Sequence, residues 1–228
     1  MRLDTAYLFD LDGTLVDSVY QHVIAWKTAL DAEGIDLSVW RIHRKIGMSG
    51  GLFTHFLLRE TGVEISEERI ERIRLRHAEA YRGFASQIRP LPGARDLLAY
   101  LSEADIPWAI ATSGRMETAA VNIAALGVDP AQVPVVTRDQ VKYAKPDPDL
   151  FLEAARRLGV GIENCFVVGD AVWDMLAARF IDCQPRELEI LAQQSGYANY
   201  DSLANAMRRR GVRRGVPVSM KPRYDKPV

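Results

Sequence analysis

The sequence predicts an α/β fold: a doubly wound parallel sheet with a helical domain inserted near its start. Three observations carry that expectation. Short apolar runs ending in polar or charged residues recur at 7–9, 107–111, 133–136 and 165–168. Helically spaced segments separate the later runs, and strand alternating with helix implies parallel pairing through right-handed crossovers. Between the first run and the second, residues 19–88 show only helical patterning, so they read as an insertion.

The first strand, Tyr7-Leu8-Phe9, stops at Asp10-Leu-Asp12-Gly13-Thr14. An apolar strand ending in two carboxylates delivers charge to the C-terminal edge of a sheet, where open α/β folds bind ligands. Gly13 lets the chain turn beside them. In the insertion, Tyr20, Val23, Ile24 and Leu30 suggest one helical face stopped by Gly34, and a second helix is expected over 52–61, ending at Gly62. The third helix starts at Ser66 as N-cap, with Glu67 and Glu68 in its first turn. Its stripe is Ile70, Ile73, His77, Ala80, Tyr81 and Phe84, which makes His77 a core or boundary histidine.

Pro90-Leu-Pro92-Gly93 reads as a stiff linker into a helix over 94–103. The second strand, 107–111, turns at Thr112-Ser113-Gly114 into a helix over 116–125 stopped by Gly127. The third, 133–136, leads past Lys145 to Asp147-Pro148, where a helix begins with proline at its first position and runs to Leu158 and Gly159. The fourth, 165–168, ends in Gly169-Asp170. The chemistry-bearing residues therefore converge: Asp10 with Asp12, Thr112 with Ser113, and Asp170 each follow a strand directly, and Lys145 lies in a loop able to reach the same edge.

Four carboxylates in one cleft, Asp10, Asp12, Asp170 and Asp174, would repel one another, and a divalent cation resolves that conflict. An all-oxygen site suits Mg²⁺. Asp174, one helical turn past Asp170, would bind metal through water or anchor Lys145. The Thr112 hydroxyl and the amides of Ser113 and Gly114 are anion-binding parts, and Lys145 offsets anionic charge.

The 228 residues are 48% hydrophobic, enough for one good core or a core with a smaller insert. No apolar run approaches the roughly 20 residues that cross a bilayer, and the start is not a secretory signal, so the cytoplasm is expected. Cys165 and Cys183 are too few for a disulfide framework and are taken as free, buried thiols. The net charge of -1 is unevenly spread: from Met207 onward eight Lys or Arg residues face only Asp225.

Asp10-x-Asp12-Gly-Thr, Thr112 after the second strand, Lys145 before Pro-Asp-Pro-Asp, and Gly169-Asp170-x-x-x-Asp174 together resemble the four motifs of the haloacid dehalogenase superfamily. The helical insert resembles its first cap class, as in phosphoglycolate phosphatase and β-phosphoglucomutase relatives. The resemblance covers about residues 5–179. It implies a Rossmann-like core at 1–18 and 89–183, a helical cap at 19–88, and an atypical helical segment with a basic tail at 184–228. It further implies a Mg²⁺-dependent phosphatase acting on a small phosphorylated metabolite, such as a sugar phosphate or phosphoglycolate. Asp10 would be the nucleophile that forms an aspartyl-phosphate, and Asp12 the acid and base. Mg²⁺ would lie on Asp10, Asp170 and the backbone carbonyl of Asp12, with Asp174 nearby. Thr112, Ser113, Gly114 and Lys145 would bind the phosphoryl oxygens. Arg44, Lys45 and Arg115 are candidate substrate contacts, the first two in a basic, glycine-rich loop of the insert. A monomer or homodimer is expected, without membrane or nucleic acid as partner. Two other readings stand beside this one: a phosphomutase of the β-phosphoglucomutase kind, and an inactive binding protein whose basic tail contacts nucleic acid.

The resemblance ends after the fourth motif. Residues 177–183 lack the glycine turn that leads relatives into a fifth strand, which would leave the edge at 165–168 uncovered, and 188–212 weakly resembles a helix-turn-helix unit.

Overall fold

A computed structural model describes residues 5–49, 61–62 and 65–181. Its central element is β1 (Ala6–Phe9), an apolar strand flanked by parallel neighbours on both sides. β4 (Trp108–Ala111) lies against one edge of β1 and β6 (Cys165–Val168) against the other, with β5 (Val135–Val136) outside β4. The order is β5-β4-β1-β6, parallel throughout. The chain leaves β1 toward β4 and β5, then returns to its other side for β6. Such a change of direction opens a crevice at the C-terminal ends of the strands.

Period-two alternation assigns the two faces. Phe9, Trp108, Ile110 and Val135 pack against α4 (Ala94–Glu103) and α5 (Met116–Leu126) through Leu98, Leu101, Ile123 and Leu126. Leu8, Ala109, Ala111 and Val136 face α6 (Asp149–Leu158) and α7 (Val172–Ile181) through Leu150, Phe151, Ala154 and Ala177. Small alanines in β4 bring the helices of that face close to the strand. Gly127 ends α5 in a left-handed conformation, as its position in the sequence suggests. Pro148 is the N-cap of α6 rather than its first residue.

The inserted helices α1 (Val19–Ala32), α2 (Val39–His43) and α3 (Glu67–Arg82) have a core of their own, built from Val23, Leu30, Ile35, Ile42 and Ile73. α3 is capped as read from sequence, with Ser66 Oγ accepting from the Arg69 N–H at 3.3 Å. The buried face of α1 differs from the expected one. Tyr20 and Ile24 are 62% and 50% exposed, and the helix buries His22, Val23, Ala25, Ala29 and Leu30 instead. The face is chosen by what α1 crosses, and the crossing helix α3 presents His77 and Tyr81, whose partners are polar and aromatic. α2 ends just before Arg44, the first residue of the basic, glycine-rich loop, and no helix was expected at its position.

Two short strands, β2 (Val16–Asp17) and β3 (Arg89–Pro90), pair antiparallel on either side of the insertion. The stiff linker at Pro90 is thus a clasp between the two crossings from sheet domain to helices. Cys165 is a free thiol but only half-buried, because it lies on the edge strand. Among the described residues β6 pairs only with β1, and Phe166 is 58% exposed. The expected helix at 52–61 (apart from Thr61), Cys183 and everything read into 184–228 lie outside the described residues.

Candidate active site

Asp10 is the first residue beyond β1, held there by its N–H donating to the Val168 carbonyl at 2.8 Å. Its carboxylate is buried and paired with the ammonium of Lys145, which is 0% exposed and also contacts Asp174 Oδ1 at 2.7 Å. Lys145 thus bridges two carboxylates that come from opposite ends of the sheet domain's sequence. Asp174 sits in the first turn of α7 and accepts from the Ala171 N–H at 3.0 Å. Asp170 is exposed and accepts from the Thr14 hydroxyl at 3.1 Å.

Carboxylate oxygens of Asp10, Asp170 and Asp174 lie within 4.8 Å of one another. Three hard oxygen donors at that spacing fit a small divalent cation, with carbonyls or water completing the shell. Asp12 is outside this cluster, its Oδ1 being held by Ser18, His22 and Asn122, so any contribution from Asp12 would come from its backbone carbonyl. Gly13 has φ near +88°, and a Cβ there would overlap the Asp170 carboxylate, so the turn both needs glycine's conformation and uses its missing side chain.

Electrostatics follow from this crowding. Burial pushes the Asp10 carboxyl up to about 8, with Lys145 opposing and repulsion from Asp174 and Asp12 adding to the rise. Burial also raises Asp170. Burial by itself would raise Asp12 as well, but attraction to His22 and hydrogen bonds from His22 and Ser18 hold it below the ordinary carboxylate value. Two carboxylates two residues apart are therefore driven in opposite directions.

Thr112 follows β4 directly, is buried, and its Oγ1 accepts the Gly114 N–H at 3.0 Å. Among the described residues the Ser113 hydroxyl is buried without a hydrogen-bond partner. The helix beyond begins at Met116, whose N–H is taken by Asp139 at 2.9 Å, so the turn at 112–114, not the helix terminus, offers groups to an anion. Arg115 pairs with Asp139 at 2.8 Å.

A cavity of about 270 Å³ opens over Asp10 and Asp12, between the sheet edge and the inserted helices. Thr112, Ser113 and Gly114 line its floor, and Trp26, Ile46, Met48 and Ile73 form an apolar wall. Lys45 and Arg115 border it, whereas Arg44 does not and stacks over Trp40. The loop carrying Lys45 rests on the sheet domain: the Ser49 N–H donates to the Lys145 carbonyl at 3.0 Å, and the Lys45 ammonium lies 5.8 Å from the centre of the Trp173 ring.

His77, read as a core histidine, is indeed buried, and it also borders the cavity. It hydrogen-bonds His22 at 3.1 Å and stacks on Trp26 with ring centres 4.0 Å apart. Burial pushes its imidazole well below the ordinary histidine value, with repulsion from His22 adding, Asp12 opposing and Arg74 adding again. A base held below its unfolded value favours folding while neutral, so this stability is present above about pH 6.5 and is lost as pH falls. Denaturation midpoints measured at pH 7.5 and 5.5 are expected to fall with acidity, and His77→Phe to flatten that dependence. An unchanged slope in the variant would exclude His77 as its source.

Ser18, His22, Asn122 and Tyr81, which surround Asp12, are residues that sequence reasoning missed. One signal was available: His22, Ala25, Trp26 and Ala29 fall at helical spacing, and that face carries the histidine toward Asp12.

The haloacid dehalogenase-like hydrolase profile matches residues 5–182. The chain belongs to this family. It is 37% identical to hexitol phosphatase A of Escherichia coli over 78% of this chain and 79% of that protein. It is 32% identical to β-phosphoglucomutase of Bacillus subtilis over 73% and 75%. A hydrolase from Pseudomonas syringae superposes with a TM-score of 0.76 at 48% identity, covering 90% of this chain and 98% of that one. This member of the family is accordingly a phosphoric monoester hydrolase, and its sheet domain and inserted helices have the architecture of its relatives. Among the described residues no helix is long and apolar enough to cross a membrane.

Proposed function

We propose that this hydrolase removes phosphate from a small phosphorylated sugar or polyol through an aspartyl-phosphate on Asp10, with Mg²⁺ as cofactor. The observation that carries the reading is the pairing of buried Asp10 with Lys145, beneath the cavity and beside the separately held Asp12. We further propose that residues 19–88 act as the cap and that 1–18 with 89–183 form the catalytic core.

In the first step an Asp10 oxygen bonds to phosphorus, the bond from phosphorus to the organic oxygen breaks, and Asp12 gives that oxygen a proton. In the second, Asp12 takes a proton from water as the water attacks the aspartyl-phosphate, releasing inorganic phosphate and restoring Asp10. Lys145 opposes the upward push of burial on the Asp10 carboxyl, favouring its ionised form, and with Thr112, the Ser113 amide and Gly114 binds phosphoryl oxygens. A cation on Asp10, Asp170 and the Asp12 carbonyl, with Asp174 behind, would supply charge neutralisation for the transferring group. The apolar wall with Trp26 suits the carbon face of a sugar-sized group, and a cavity of about 270 Å³ is on the scale of a small phosphorylated metabolite. Lys45 and Arg115 border the space where the remainder of such a substrate would lie. The relation to hexitol phosphatase A supports the polyol phosphate class.

The test is phosphate release from 4-nitrophenyl phosphate and a panel of hexitol, hexose and two-carbon phosphates, with Mg²⁺ and with chelator. Release that depends on Mg²⁺ is the expected result. The relation to β-phosphoglucomutase favours a second reading, transfer between positions of one sugar, which would appear as isomerisation dependent on a bisphosphate.

A further inference from the structure

Three donors converge on one oxygen of Asp12. Ser18 Oγ donates to Oδ1 at 2.6 Å, His22 Nε2 lies 3.1 Å from it, and Asn122 Nδ2 donates to it at 2.5 Å. Oδ2 receives none of them and comes near Gly114, another residue of the cavity lining. Asn122 is fully buried on α5, and its carbonyl Oδ1 accepts from the hydroxyl of Tyr81 at 2.7 Å. Tyr81 is itself fully buried, on α3 of the insert, with its ring stacked on His22 at 3.8 Å between centres.

The chemistry of an amide gives this chain a direction. Asn122 has an acceptor end and a donor end, and a carboxylate accepts only. The carboxylate requires the donor end, and the Tyr81 hydroxyl donates to the acceptor end left over, so Tyr81 anchors the amide in the orientation that holds the carboxylate. We propose that Asn122 and Tyr81 are positioning residues: Tyr81 orients the Asn122 amide, which with Ser18 and His22 pins Asp12 by Oδ1 so that Oδ2 carries the transferred proton. The contact crosses from insert to core, so the acid is oriented when α3 is seated against α5.

This inference rests on the reading of Asp12 as the proton donor, and the test separates the two. In the first step the phosphorus–oxygen bond breaks, its electron pair remains on the departing oxygen, and the proton on Oδ2 passes to that oxygen. Phenolate, with a conjugate acid near pKa 10, needs that proton much more than 4-nitrophenolate does. The ratio kcat/KM ends at leaving-group departure and excludes the later hydrolysis. Asn122→Ala is expected to lower kcat/KM for phenyl phosphate by about 10²-fold and for 4-nitrophenyl phosphate by less than about 3-fold. Tyr81→Phe, which keeps the buried ring, is expected to give the same split at about 10-fold. Equal losses on both esters, or none on either, would overturn the proposal, since a purely structural defect does not distinguish leaving groups. Asp12→Asn is measured in parallel. If it shows the split and the other two variants do not, the positioning role fails alone; if it shows none, the acid assignment fails and the proposal with it.

Discussion

Asp10→Asn is expected to lower Mg²⁺-dependent phosphate release by about 10⁴-fold or more, the scale on which loss of a nucleophile is felt. The variant should nevertheless fold. Asparagine keeps the shape of the side chain and removes a buried charge whose carboxyl is pushed up to about 8 by burial, with Asp174 and Asp12 adding and Lys145 opposing. Lys145 keeps Asp174 as its partner at 2.7 Å. A denaturation midpoint close to that of the parent, with turnover gone, would match the assignment. Substantial hydrolysis in the folded variant would overturn Asp10 as nucleophile.

Lys145→Met is expected to damage both stability and activity. The ammonium is fully buried and faces Asp10 and Asp174 together, and burial alone would lower its pKa, yet the two carboxylates hold it raised. Methionine fills a similar volume but leaves two carboxylates buried without their cation. Removing one partner of a buried ion pair costs about 3–5 kcal/mol. Activity should fall by about 10²–10³-fold, the usual loss when a donor to the transferring group is removed. Mg²⁺ should restore part of the stability of Lys145→Met, because a cation on Asp10 and Asp170 replaces some of the missing positive charge. Urea denaturation with Mg²⁺ and with chelator measures this. A variant as stable as the parent in chelator would show that the carboxylates do not depend on Lys145.

The parts of the molecule that were legible in the sequence are those written in neighbouring residues. Tyr7-Leu8-Phe9 against Asp10, and the run at 165–168 against Gly169-Asp170, show a buried strand stopping at a charged edge within a few positions. Strand and helix alternation then implies parallel pairing, and the carboxylates must gather at one edge because every strand of a parallel sheet ends there. Asp10, Asp170, Asp174 and Lys145 could therefore be placed together without coordinates.

The surroundings of Asp12 were not legible for the opposite reason. Ser18 would ordinarily cap α1, but its hydroxyl donates to Asp12 and makes no side-chain cap. Tyr81 lies in an apolar stripe that sequence assigns to packing, and Asn122 lies in a helix identified only by its bounds. The α1 face was misjudged because Tyr20 and Ile24 are as hydrophobic as core residues, and only the crossing of α1 by α3 decides which side is covered. The β2–β3 clasp is two residues long on each side, too short to leave a periodic pattern. The chain by itself determined which carboxylates and which lysine would meet, since strand alternating with helix implies a parallel sheet, and every strand of such a sheet delivers its C-terminal end to one edge. Only tertiary structure decided how Asp12 is held, because its three donors come from the turn before α1, from α1 and from α5, the last of them 110 residues from Asp12 in the chain. Long-range hydrogen bonds leave no local periodicity, and they form only where packed helices bring their side chains to the same oxygen.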